Sequence, residues 1–298
     1  MHLATLFNRR MDRSLKTIAT GLSVLAFAIS FAAPAAQAQS AIEKLAVPKS
    51  KLVSSFWKKN DPSSKVQIDH GPWDEFLGKY VRTNGRGVNV VSYRRVGSAD
   101  RASLKTYLSD LQSVDVPSLN RNEQYAYWLN LYNAATVSIV LDNYPVESIR
   151  DIKRGAFDFI GPFNDKVVKV HGKSLTLNDI ESGIVRPIWN DPLLHYAFNC
   201  AAISCPNLGK KAYRGDKIRG QLASAASRFV NDPRGISVKD GKVTASKIYF
   251  WYQDDFGGSE ASVLKHIKQF AAPELKGKLA NIKSIDDYEY DWSLNEAG

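Results

Sequence analysis

Residues 120–143 read NRNEQYAYWLNLYNAATVSIVLDN, and this stretch decides the fold class. Asn120 followed by Glu123 has the spacing of a capping box, in which the Asn side chain accepts the third backbone N–H and the Glu reaches back to the cap. Tyr144-Pro145 marks the far end, because the residue before a proline avoids the α region. The run between is apolar nearly all round, the pattern of a helix buried on most sides. Asn130 and Asn133 interrupt it at i, i+3 and project from one face. A buried amide is costly unless hydrogen-bonded, so the pair either ties neighbouring loops together or lines a substrate pocket beside Trp128 and Tyr132.

Shorter elements are expected on both sides of this helix. Trp73, Phe76, Leu77 and Tyr80 sit at helical spacing, and Leu104, Leu108 and Leu111 mark one face of a helix over 98–111. Val167 to Leu177 reads as a short hairpin turning at His171-Gly172. Asn178 with Glu181 repeats the capping-box spacing and predicts a helix that stops before Pro187. Residues 216–230 read as an amphipathic helix. Residues 236–245 alternate with period two around Asp240-Gly241, a strong hairpin signal that sets Lys239 opposite Lys242. Helices follow over 248–252 and 259–270, and Tyr288, Tyr290 and Trp292 at alternate positions predict a closing strand. The fold class is α+β: a helix-rich single domain with short β-hairpins and a C-terminal strand, lacking the regular strand–helix alternation of a doubly wound sheet.

The ends of the chain differ from this core. Arg9, Arg10, Arg13 and Lys16 precede a mostly apolar run from Thr17 to Ala32, and Ala36-Gln37-Ala38 is a small-x-small cleavage site. That order predicts a signal peptide over 1–38 and an exported, periplasmic or secreted protein. Arg9-Arg10 leaves Sec and twin-arginine export both open. Residues 39–70 are polar and proline-containing, the composition of a linker or arm, and the globular domain is expected over 71–298. The formal net charge is +10, but the positive residues are scattered. That pattern argues for a solvated surface rather than a nucleic-acid footprint. No segment of the mature part is apolar enough for a membrane span.

Residues 195–208 read HYAFNCAAISCPNL and hold both cysteines, Cys200 and Cys205, and one of the five histidines. Thiol, imidazole and amide side chains in one short stretch point to a site. Cys200 and Cys205 fit a disulfide in an exported protein. A reactive thiol activated by His195 comes next, and a redox pair third, because the spacing is not the C-x-x-C of thioredoxin-like sites. A zinc site has weaker grounds, because no second Cys/His cluster supplies the missing ligands. His195 and Asn199 share a face on a helix or a strand, which makes them a natural polar pair. Glu181 and Arg186 suggest a structural contact rather than a site.

The strings NEQYAYWLNLYNA, IESGIVRP, HYAFNCAAISCPNL, SKIYFWYQDDFGG and YDWSLN, in this order between Trp73 and Asn295, resemble the family catalogued as domain of unknown function 547. The resemblance implies one domain and a common site around the histidine and cysteine block, but no reaction. One departure stands out: that family typically has glycine in the segment after its first cysteine, where this chain has Ala201-Ala202.

Three functions remain open on the residues alone. One is a thiol-dependent hydrolase or transferase, with Cys200 or Cys205 as nucleophile, His195 as base and Asn199, Asn130 or Asn133 as orienting amides. The second is a non-catalytic envelope protein stapled by a disulfide, binding a peptide, glycan or protein. The third is a thiol–disulfide redox protein. None of the three calls for a cofactor, a metal or nucleic acid.

Overall fold

In the computed structural model, residues 44, 47–152 and 161–298 are described; the basic start, the apolar run and Ala36-Gln37-Ala38 lie outside them. The long helix organises the rest. Helix α1 (Gly71–Tyr80), α2 (Ser98–Gln112) and α3 (Arg121–Asn143) follow one another, and α2 lies along α3. In α3 even Glu123, Gln124, Asn130 and Asn133 are buried beside the apolar residues. The Asn120 side chain caps α3 by accepting the Glu123 N–H at 3.0 Å. The reciprocal half of the expected box is absent. The Glu123 carboxylate accepts instead from the Ile68 N–H at 2.8 Å, because an incoming chain segment offers it a closer partner.

That segment is the described part of the polar arm. Its Trp57 is only 2 % exposed and packs edge-on against Trp128, ring centroids 5.2 Å apart. Order therefore begins well before Trp73. Two arm amides, Lys51 N–H and Val53 N–H, donate to the carbonyls of Ser182 and Gly183 at 3.1 and 3.0 Å.

Those carbonyls belong to a helix that departs from expectation. Helix α4 (Leu177–Ile180) continues through a π-helical turn, Glu181–Val185, into α5 (Arg186–Trp189). The cap is Thr176, which forms a capping box with Asp179, rather than Asn178 with Glu181. The helix also runs through Pro187 instead of stopping before it. Pro187 has no N–H to give, and the carbonyls it leaves short turn to the arm. Gly183 makes the approach possible: a Cβ there would lie 2.4 Å from a Val53 methyl.

The strands are short. β1 (Val81–Thr83) pairs antiparallel with β2 (Asn89–Val91), and β3 (Val168–Val170) with β4 (Lys173–Leu175). β5 (Ile236–Lys239) and β6 (Lys242–Ser246) form the Asp-Gly hairpin with Lys239 opposite Lys242, and β7 (Asp287–Glu289) adds in parallel to β6. Helices α6 (Ile218–Val230), α7 (Lys247–Trp251), α8 (Glu260–Phe270) and α9 (Pro273–Lys278) complete the chain. This is the α+β class expected.

Two hydrophobic clusters result. One surrounds α3; the other joins α6, the β5–β6 hairpin and α8. Residues 193–208 run between them, with Leu193 packed against both clusters. After β7 the tail turns back onto this same stretch. Ile203 N–H donates to Ser293 O at 2.8 Å and Ser204 N–H to Asp291 O at 3.1 Å. No helix among the described residues is long and apolar enough to cross a membrane.

Candidate functional site

Cys200 and Cys205 are joined in a disulfide, with Cα atoms 6.2 Å apart. The loop between them is irregular, which lets two cysteines so close in sequence face each other. Ala201 has φ +62°, in the left-handed region where glycine sits without penalty. Two donors converge on the Cys205 sulfur: the Cys200 N–H at 2.9 Å and the Tyr290 hydroxyl at 3.1 Å. The same hydroxyl lies 3.1 Å from the Cys200 sulfur. Cys205 is buried at 5 % exposure, while Cys200 is partly exposed. Burial pushes the Tyr290 phenol up, and the Glu181 carboxylate adds to the effect, so Tyr290 keeps its proton and acts as a donor.

Arg234 fastens the loop from below. Its guanidinium donates to the Ile203 and Cys205 carbonyls and to Asn207 Oδ1. Asp232 holds the guanidinium in place at 2.9 Å. A fixed cation is thereby set beside Cys205 without occupying its sulfur.

His195 belongs to a different neighbourhood. Its Nε2 lies 2.7 Å from Asp255 Oδ2 and its Nδ1 4.0 Å from Glu181 Oε1. The ring stacks on Tyr252 at 4.1 Å and leans on Phe256. Among the described contacts of this ring neither sulfur appears. Arg186 grips Asp255 with two N–H groups, at 2.6 and 3.1 Å, and donates to Pro48 O at 2.7 Å. Burial pushes the Tyr132 and Tyr252 phenols up, and the charge of the nearby Glu181 carboxylate adds to it. Burial alone would raise the Asp255 carboxyl. The hydrogen bonds and charges of His195 and Arg186 prevail and bring it down to about 2.

The asparagines act as ties. Asn133 Nδ2 donates to Ala197 O at 2.9 Å, and its Oδ1 accepts the Asn199 N–H at 2.9 Å. Asn199 in turn donates to Pro206 O at 2.8 Å and accepts from Ala201 N–H and Asn295 Nδ2. Asn133 and Asn199 therefore frame the disulfide loop together. His195 and Asn199 do not pair, because a 3-10 turn over Pro192–Tyr196 carries the histidine and Asn199 lies beyond it. Asn130 ties the Tyr213 backbone at both its N–H and C=O and donates to His70 Nε2. Burial, aided by Arg214, lowers the His70 imidazole to about 4. Trp128 is a fully buried core residue beside Trp57 and Tyr127.

Sequence reasoning missed Tyr290, Asp255 and Arg234 as site residues. Tyr290 and Asp255 both stood inside quoted motifs, which was the available signal. Arg234 had none. Among the described residues no group of three or more His, Cys, Asp or Glu side chains is placed to hold a metal ion.

The architecture is thus a helix-rich α+β protein whose disulfide loop is framed by asparagines and faced by a tyrosine from its own tail. Residues 116–230 match the family described as "Protein of unknown function, DUF547". The matched segment carries α3, the π-turn, His195 and both cysteines, and it ends before Arg234, Asp255 and Tyr290. No curated protein and no solved structure matches the chain.

Proposed function

We propose that the protein is an exported thiol–disulfide exchange protein, with Cys200–Cys205 as its reactive bond. The observation that carries this reading is the asymmetry of the two sulfurs. A disulfide sulfur is a poor acceptor, so the Cys200 N–H that reaches Cys205 alone, and the Tyr290 O–H that lies equally near both sulfurs, gain little from the oxidised state. A thiolate is a strong acceptor, and charge-assisted hydrogen bonds are roughly twice as strong as neutral ones. Cys205 is therefore prepared to be a leaving group, and exchange speeds up as the leaving thiol's pKa falls. The partly exposed Cys200 is the sulfur open to attack.

The step balances simply. An incoming thiolate attacks Cys200 Sγ, the S–S bond breaks, and its electron pair leaves on Cys205 Sγ. A mixed disulfide remains on Cys200. A second thiol then releases Cys200, or the Cys205 thiolate reverses the step. A thiol-dependent hydrolase would draw on the same Cys205 thiolate but needs a base at the sulfur. The partners of Cys205 are an amide N–H and a phenol, not an imidazole. Export rests on the basic, apolar and small-x-small order of residues 9–38, and an oxidising compartment keeps such a bond formed.

Alkylation of the reduced protein as a function of pH, read cysteine by cysteine by mass spectrometry, tests the reading. Cys205 is expected to titrate below the ordinary thiol value of about 8.5, and to move upward in Tyr290→Phe. Cys205→Ser should trap a mixed disulfide on Cys200. A Cys205 titrating at or above the ordinary value, in a disulfide that resists millimolar thiols, would make the bond a staple and favour a non-catalytic binding protein.

A further inference from the structure

Next to the disulfide lies a cleft of about 550 Å³, lined among others by Ser204, Arg234, Lys247, Tyr288, Glu289 and Tyr290. Its walls are pinned from behind. Tyr288 hydrogen-bonds Glu260 at 3.2 Å, Arg234 is held by Asp232, and Ser204 Oγ accepts the Asp291 N–H at 2.8 Å. The Tyr290 ring is wedged against Trp251 and Trp292, centroids 4.8 Å from each. Preformed clefts of a few hundred Å³ with aromatic walls and a few fixed polar groups are the usual form of small-molecule sites. A folded protein partner would need a far larger surface, on the order of 800 Å² per side.

Two features connect the cleft to the exchange site. Tyr290 is common to both: it lines the cleft while its hydroxyl touches both sulfurs. Ser204, also in the lining, is the chain neighbour of Cys205. The lining carries both signs of charge, Arg234 and Lys247 together with Glu289 and Asp291. A ligand with an ammonium and a carboxylate matches this pattern; an uncharged or purely anionic one does not. Resting on the exchange reading above, we infer that the cleft selects the attacking thiol: a low-molecular-mass zwitterionic thiol, of the amino-acid or short-peptide kind, delivered to Cys200. Two such thiols are oxidised to their symmetrical disulfide as Cys200–Cys205 is reduced to two thiols.

The test follows the rate at which the oxidised full chain is reduced, with reduced glutathione as the zwitterionic probe and 2-mercaptoethanol as the uncharged one. The glutathione rate is expected to saturate and to be inhibited competitively by S-methylglutathione, while the 2-mercaptoethanol rate rises linearly. Lys247→Gln and Glu289→Gln should each raise the half-saturating glutathione concentration about three- to fivefold, the scale of a partly exposed ion pair. Linear kinetics with both thiols, or saturation that neither variant shifts, overturns the cleft inference and leaves exchange standing. Resistance to both thiols overturns exchange itself, and the cleft inference with it.

Discussion

His195 and Cys200 are near neighbours in the chain and serve two different regions. The histidine is locked among Asp255, Glu181 and two aromatic rings, next to the Arg186 grip on Asp255. The cysteines sit in a loop framed by asparagines and faced by Tyr290. The first region is charged, buried and fully paired, so it resists change. In the second, an amide N–H and a phenol O–H lie against the sulfurs of a disulfide, which is a weak acceptor. The comparison teaches that chemistry-bearing residues clustered in sequence need not share a site. A 3-10 turn and an irregular loop were enough to send them to opposite tasks.

Removing Asp255 is the strongest way to break the contrast. Asp255→Ala leaves the buried Arg186 and His195 without their carboxylate, and breaking a buried pair typically costs about 3–5 kcal/mol. Urea denaturation should show this loss, while alkylation of Cys205 in the protein that remains folded keeps its pH profile. A shifted Cys205 profile would join the two regions into one site.

Acid sharpens the contrast next. Burial lowers His70 and His266 to about 4 from an ordinary 6.5, Arg214 contributing at the first and His195 at the second. The unfolded chain thus binds more protons than the folded one between those values. Their contribution is complete above about pH 6.5 and is lost as pH falls toward 4. Asp255, lowered to about 2 from 3.8, withdraws its own share only below 3.8. The unfolding free energy, read by urea titration, should therefore fall between pH 6.5 and 4 with a slope of up to about 1.4 kcal/mol per histidine per pH unit. A flat profile there would show that the imidazoles are not buried neutral.

The asparagine frame gives a smaller effect. Asn133→Ala strands the Asn199 N–H and the Ala197 carbonyl, at about 1–3 kcal/mol, and should loosen the disulfide loop. Thermal melting reads the first consequence and the reduction rate of the disulfide the second. A loss below about 0.5 kcal/mol would class the site with ordinary surface positions.

Ala201→Gly is the smallest change. An alanine in the left-handed region costs about 1–2 kcal/mol, partly offset by the extra unfolded-state entropy of glycine. The variant should gain up to about 1 kcal/mol by denaturant titration. Destabilisation instead would mean that the alanine methyl packs well enough to outweigh the strain.

Much of this architecture was legible in residues 120–143. An apolar helix with a capping asparagine and a following proline can only be a buried centre, and the Asp-Gly hairpin follows from turn chemistry alone. Local rules failed where another segment supplied a better partner. Glu123 left its capping role for the Ile68 N–H. The helix passed Pro187 because arm amides took up the carbonyls of Ser182 and Gly183.

The sequence by itself determined the fold class, the burial of Asn130 and Asn133, and the closeness of the two cysteines, since each follows from periodicity or short spacing. Only the tertiary structure decided the partners. It gave His195 to Asp255, Tyr290 to the sulfurs and Arg234 to the loop carbonyls. These pairs span dozens of residues, and no periodicity encodes a contact between segments that meet only when the core closes.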